Sequence, residues 1–343
     1  MTRDDPSDRL IPNPLRRAGH RLPPGDLADV VAFAADRPAT PLHDAPALAA
    51  RLGLARLLVK NESARWGLNA FKIAGVSYAL ARWLASPPGR ARPVTRLVCG
   101  SAGNHGRAVA RAARERGFAC RVFLPSDALA SRVEAIRAEG AEAVSVTGSY
   151  EDALGAARAD ASDPGALLIS DTSHRADADP ALDIPSLIMR GYTCVFAEAA
   201  AAWPEPPDVI VVQGGVGGLV GAAAGWMGAN LPSARLIAAE PHGSACLMAS
   251  ALAGGRTVLP ATSPTAMVCL RCAEPSGASW PHVAAGVDAF VTITDDEAVS
   301  AVAALAGAGI ASGASGACGL AALTAIAPAF AGRSALIVVT EGT

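Results

Sequence analysis

The chain has 343 residues, half of them hydrophobic, which is more than one small core needs and points to two domains or to one large domain with a subdomain. Its 29 basic and 31 acidic residues leave a formal charge of -2, and no basic run exceeds a pair, so the partner expected is a small molecule and neither nucleic acid nor an anionic membrane. Seven scattered cysteines (Cys99, Cys120, Cys194, Cys246, Cys269, Cys272, Cys318) predict buried thiols in a reducing cytoplasm, not a disulfide framework.

Met1 to Arg17 is charged, contains Pro6, Pro12 and Pro14 and lacks an apolar h-region, so no secretory signal is expected there. Lys60 to Leu80 reads as a polar, glycine-containing turn followed by an amphipathic helix with Lys72 near its start. Phe71, Ile73 and Ala74 flank that lysine with apolar surface, and desolvation lowers the pKa of an amine and improves it as a Schiff-base nucleophile. Lys60 and Lys72 are the only lysines in a chain that otherwise uses arginine for its positive charge. A lysine spared from that drift suggests a need for an amine that can be neutralised, which arginine cannot supply. Both remain candidates at this point.

From residue 94 onward, β-rich runs alternate with Ala-rich helical ones: Val94 to Cys99 then Gly106 to Arg116, Ala119 to Leu124 then Ala130 to Glu139, Ala143 to Val146 then Glu151 to Ala159. This alternation predicts βαβ units and a mostly parallel sheet. Between the first strand and its helix lies "SAGNHG", where Gly103 permits a tight turn, Asn104 offers an amide to an aromatic hydroxyl and the first N–H groups of the helix can hold a carboxylate. Trp203 to Pro207 ("WPEPP") is the clearest candidate linker, because clustered prolines continue neither a helix nor a central strand.

Asp208 to Gln213 is a strand that runs into "GGVGG" and then a helix, an arrangement that brings N–H donors and the helix dipole to an anion. The spacing is neither G-x-G-x-x-G nor a Walker loop, so a monophosphate suits it better than a dinucleotide or a nucleoside triphosphate. Further strands are expected at Arg235 to Ala239, Ala289 to Ile293 and Ala335 to Thr340. Cys269 and Cys272 form a C-x-x-C, but with no second pair no zinc site is expected. The stretch between Glu297 and Arg333 is uncharged and long enough to span a bilayer, yet the glycines in its middle predict helix, glycine loop, helix within a folded core.

"NAFK" at Asn69–Lys72, "SAGNHG" at Ser101–Gly106 and the glycine loop at Gly214–Gly218, in that order, resemble the fold type II pyridoxal 5'-phosphate (PLP) enzymes, the group of threonine dehydratase, cysteine synthase and tryptophan synthase β. The resemblance implies an α/β fold with two domains, mostly parallel sheets and the active site in the cleft between them. The boundaries expected are 1–95 with 200–343 for a large PLP-binding domain and 96–199 for a small one. It also implies that Lys72 is the Schiff-base lysine, that Asn104 bonds the PLP hydroxyl, that Gly214, Gly215, Val216, Gly217 and Gly218 cradle the phosphate, and that Thr340 meets the pyridine nitrogen. A hydroxyl at that nitrogen does not hold it protonated, which favours elimination and replacement over transamination. Ser101, Ala102 and His105 are the expected substrate-side residues.

Within that group the chain is most similar to the diaminopropionate ammonia-lyases, through "PATPLH" (38–43), "LLVKNESARWGLNAFK" (57–72), "SDTS" (170–173), "IPSLIMRGYT" (184–193), "MVCLRCAEPS" (267–276) and "VTEG" (339–342). This implies α,β-elimination on a small amino acid such as 2,3-diaminopropionate, giving a keto acid and ammonia, by a cytoplasmic homodimer. Either Lys72 or Asp171 takes the Cα proton. Two departures stand out: the chain is somewhat shorter than typical members, and Ala102 replaces an aspartate assigned to the D-isomer while Asp171 keeps the second carboxylate, so selectivity for the L-isomer is expected. The alternatives are another β-elimination or β-replacement enzyme of this fold, or a PLP-binding partner protein without turnover.

Overall fold

The computed structural model describes residues 9–101, 103–148, 150–173 and 179–342. Among these, the strands in chain order are β1 (Ile11–Pro12), β2 (Leu42–Asp44), β3 (Arg56–Asn61), β4 (Arg96–Gly100), β5 (Ala119–Pro125), β6 (Glu142–Val146), β7 (Ala166–Leu168), β8 (Val209–Gln213), β9 (Arg235–Pro241), β10 (Ala289–Ile293) and β11 (Ser334–Val339). The chain divides into two compact units, one of Met1–Phe71 and Tyr192–Thr343, the other of Lys72–Gly191.

The first unit holds a seven-stranded sheet in the order β1-β10-β9-β8-β11-β3-β2. Its five inner strands are parallel and the two short edge strands antiparallel. The inner strands read "VIVV", "LIVV" and "LLV" because parallel strands covered by helices are buried on both faces. The uncharged stretch after Glu297 folds as expected, with the helix Asp295–Gly307 before the glycines and Ala314–Ile326 after them. A capping box of Thr294 and Glu297 sets where the first begins. Among the described residues no helix is long and apolar enough to cross a membrane. The proline-rich Trp203–Pro207 is not a linker between units: it lies inside this one, between the helix Thr193–Ala202 and β8, where its prolines only stop the helix.

The second unit is an all-parallel four-stranded sheet, β6-β5-β4-β7, with a small core of Val98, Phe123, Ala153, Ala157 and Ala166. The helix Lys72–Ala85 belongs to it and departs from the amphipathic pattern expected: Ile73 through Leu80 are buried without interruption, as is Trp83. Small residues allow this. A Cβ on Gly191, at the end of the helix Ile184–Gly191, would stand 2.8 Å from Gly75 Cα, so the two helices meet backbone to backbone. The α/β class with mostly parallel sheets is therefore as the sequence implies.

Candidate active site

In the smaller unit, Lys72 is the first residue of its helix and donates from Nζ to Asp171 Oδ2 at 2.7 Å. Both side chains stay partly accessible, 22% for the lysine and 15% for the aspartate. His105, second in the helix Asn104–Glu115, lies with Nε2 3.0 Å from Ile169 O. A carbonyl only accepts, so Nε2 carries hydrogen and Nδ1 faces Asp171 Oδ2 at 3.8 Å. Burial by itself would raise the Asp171 pKa, but electrostatic attraction to the neighbouring His105 and Lys72 and the lysine hydrogen bond outweigh it and hold the carboxyl well below the usual range. The unit thus keeps an ionised carboxylate against an accessible amine, a pairing able to hold or pass a proton.

The turn before His105 is built around Ser101, whose Oγ accepts from Gly106 N at 3.0 Å and Gly103 N at 3.3 Å. Ser101, expected on the substrate side, is 6% exposed and engaged with its own loop. Asn104 follows Gly103 as the first helical residue. Gly106 is required: a Cβ there would come within 2.8 Å of Val122 Cγ1 and 3.0 Å of Ser101 O. Ala102 lies outside the described residues.

The other lysine is built differently. Lys60, in β3 of the larger unit, is 1% exposed and donates to Thr40 O and Glu198 Oε2, both at 2.7 Å. Arg65, fully buried, pairs with Glu62 and also with Glu198 at 2.7 Å, so two cations and two carboxylates compensate one another. That is a scaffold role.

The larger unit also carries the glycine loop. β8 ends at Gln213, and Gly217, with φ +92°, opens the helix Gly218–Asn230 without a side-chain cap. The first N–H groups of a helix have no partner within it, and they favour an anion. Val216 O is turned the other way, accepting from Ser276 N at 2.9 Å and Ser279 Oγ at 2.8 Å. Side chains have no room here: a Cβ would lie 2.5 Å from Leu247 Cδ1 at Gly214, 3.0 Å from Cys272 Sγ at Gly215 and 2.9 Å from Ser279 Oγ at Gly217. Leu247 belongs to the helix Cys246–Leu252, whose start is held by Glu240: its carboxyl accepts from Leu247 N at 2.8 Å and Met248 N at 2.9 Å. Burial pushes Glu240 up to about 8.

Thr340, directly after β11, is 5% exposed, and its Oγ1 accepts from Gln213 Nε2 at 3.0 Å. Ser312–Gly316 ("SGASG"), which leads into the helix Ala314–Ile326, comes to the same strand end, where a Cβ on Gly316 would stand 2.5 Å from Glu341 O. A bare helix start behind side-chain-free backbone fits a phosphate group, and a buried hydroxyl beside it fits a ring nitrogen, so the donor set of this unit fits PLP. Cys269 and Cys272 are both partly exposed, and among the described residues no group of three or more His, Cys, Asp or Glu could hold a metal. The sequence reading passed over Gln213, Ser276, Ser279 and Glu240. Gln213 alone had a local signal, a polar residue closing an apolar strand next to the loop.

The family model described as "Pyridoxal-phosphate dependent enzyme" matches residues 36–341. A diaminopropionate ammonia-lyase from Salmonella typhimurium is 34% identical over 283 residues, covering 75% of this chain and 69% of that protein. The crystal structure of holo diaminopropionate ammonia-lyase from Escherichia coli superposes with a TM-score of 0.85 at 26% identity, over 97% of this chain and 93% of that one. The same Escherichia coli protein in complex with an aminoacrylate-PLP azomethine reaction intermediate gives 0.84 at 27% identity, with the same coverage.

Proposed function

Because the chain belongs to the pyridoxal-phosphate dependent enzyme family, as a PLP-dependent lyase, we propose that it is an ammonia-lyase acting on 2,3-diaminopropionate, converting it to a keto acid and ammonia. The observation that carries this reading is the Lys72–Asp171 pair, an accessible amine 2.7 Å from an ionised carboxylate at the start of a buried helix. When bound, the cofactor supplies an electron sink for charge developing at the substrate Cα. Lys72 would hold the cofactor through its amine and give way to the substrate amine. Asp171 or the freed Lys72 amine would take the Cα proton and the β-amino group would leave as ammonia; the α-nitrogen would be lost to water as a second ammonia, leaving the keto acid. Asn104 would bond the ring hydroxyl, the backbone of Gly214–Gly218 the phosphate and Thr340 the ring nitrogen, with Ser101 and His105 shaping the substrate side.

A homodimer in the cytoplasm is part of this reading; the cytoplasm, a reducing compartment, is supported by seven thiols free of disulfides. Ala102 favours the L-isomer, because a methyl group cannot accept a proton where relatives of this kind carry a carboxylate. The test is to incubate purified protein with L- and D-2,3-diaminopropionate, serine and threonine and to assay keto acid and ammonia. L-2,3-diaminopropionate should be turned over fastest. Faster release from serine or threonine would favour a dehydratase of the same fold, and no release from any of them would overturn the lyase reading. Borohydride should fix the cofactor onto Lys72, and its recovery on Lys60 would refute the lysine assignment.

A further inference from the structure

Gln213 is held with its amide nitrogen among oxygens: Nε2 lies 3.0 Å from Gly316 O, 3.0 Å from Val338 O, 3.2 Å from Ser315 O and 3.0 Å from Thr340 Oγ1. Three of these are carbonyls, which only accept, so the NH2 end must face them and the amide cannot be turned over. The other end is left without compensation. Gln213 Oε1 is buried with no hydrogen-bond partner, packed where a Cβ on Gly319 would stand 3.1 Å away. An unpaired buried oxygen is costly, so the position of the nitrogen dominates the placement of this side chain.

An amide nitrogen has no lone pair to offer, so the Thr340 hydroxyl hydrogen cannot point at Gln213. Among the described residues Gln213 Nε2 is that hydroxyl's hydrogen-bond neighbour, and Thr340 is 5% exposed. The hydrogen is therefore directed away from Gln213, available to an acceptor on a ligand. We propose that Gln213 is a positioning residue that compels Thr340 to donate, so that the site takes the cofactor ring nitrogen only in its unprotonated, accepting form. This rests on the reading in which Thr340 meets that nitrogen. It deepens the reading by assigning the control of ring protonation, and with it the balance between elimination and side transamination, to a residue that acts through Thr340. Replacing Gln213 by leucine also strips the carbonyls of Ser315, Gly316 and Val338 of a donor. They then compete for the Thr340 hydrogen and turn the hydroxyl away from the ring.

The test uses holoenzyme reconstituted with PLP labelled with nitrogen-15 in the ring, read by NMR. The unmodified protein should show a neutral, hydrogen-bonded ring nitrogen. Gln213→Leu should move that resonance, weaken PLP about five- to tenfold for the loss of one hydrogen bond and raise the fraction of turnovers ending in transamination. In a Thr340→Val background, Gln213→Leu should cause no further change in the resonance, whereas Thr340→Ser should retain the original one. A resonance unmoved by Gln213→Leu, or moved equally with and without the Thr340 hydroxyl, overturns the proposal while leaving the PLP site intact. Failure of the unmodified protein to take up PLP overturns the site reading itself and the proposal with it. Should Gln213→Leu not fold, Gln213→Met, which keeps the side-chain length without the amide, decides in its place: a resonance that moves only while the Thr340 hydroxyl is present supports the inference, and an unmoved one refutes it, as does a protonated ring nitrogen in the unmodified protein.

Discussion

Lys60 and Lys72 each set an ammonium 2.7 Å from a carboxylate oxygen, yet one is 1% exposed and the other keeps 22% of its side chain accessible. The carboxylates differ too. Glu198 is shared with Arg65 inside a buried set of four charges, while Asp171 has His105 at 3.8 Å as a further neighbour. Distance alone would have ranked the two lysines equally. What separates them is whether the surroundings would tolerate the loss of the charge: removing the Lys60 proton would leave buried carboxylates undercompensated, whereas the Lys72 pair opens to solvent and its charge can change. A buried charge that is fully matched marks scaffold, and a matched charge that can be reached marks chemistry.

The sharpest way to break this comparison is Lys72→Ala, which should lower turnover by roughly 10³ or more, on the scale of removing a catalytic nucleophile, while the protein still melts cooperatively. Asp171→Asn should lower kcat by about 10² to 10⁴, the range for losing a positioned base, with PLP still bound. A steady-state rate unchanged by this substitution would make Lys72 alone the base. Lys60→Met should act in the opposite sense, costing about 3–5 kcal/mol of stability in a denaturant titration as one partner of a buried network is lost, with turnover per folded molecule retained. If it abolished turnover at full stability, the scaffold assignment would be wrong.

The last comparison concerns pH, where two carboxyls act in opposite directions. Glu240 holds its proton in the folded protein up to about 8 but releases it near 4.5 in the unfolded chain. Unfolding therefore releases a proton between those values, and stability should fall as pH rises from about 4.5 to about 8. Asp171, with its folded pKa depressed below 3.8, contributes stability that is present above that value and lost only as pH falls beneath it. Glu240→Gln should flatten the loss between pH 4.5 and 8 in melting experiments and leave the acid limb unchanged. An unaltered profile would mean that Glu240 is ionised throughout.

Much of this was legible in the sequence because it is local. Lys72 next to apolar residues, the turn at Ser101–Gly106 and the glycine loop after β8 are contiguous motifs, and the βαβ alternation is a pattern of neighbours. What escaped joins residues far apart. Gln213 reaches Ser315, Gly316, Val338 and Thr340, all more than 100 positions away, and Ser279 reaches back to Val216. No periodicity or spacing encodes such pairs. The reading of Lys72–Ala85 as amphipathic failed for a related reason: its small residues admit a second helix on the side that seemed free, and that neighbour is specified about a hundred residues later. Trp203–Pro207 misled because prolines report a break in helix or strand, which an ordinary connection needs as much as a boundary does.

The helix Lys72–Ala85 has an optical consequence. Trp83, 8% exposed, is the single tryptophan of its unit, while Trp66, Trp203, Trp226 and Trp280 all belong to the other. It sits eleven positions, about three turns, along the same helix from Lys72. A chain in which the other four tryptophans are replaced by phenylalanine would emit from that one helix alone. Its fluorescence would then report when the smaller unit loosens, separately from the seven-stranded sheet.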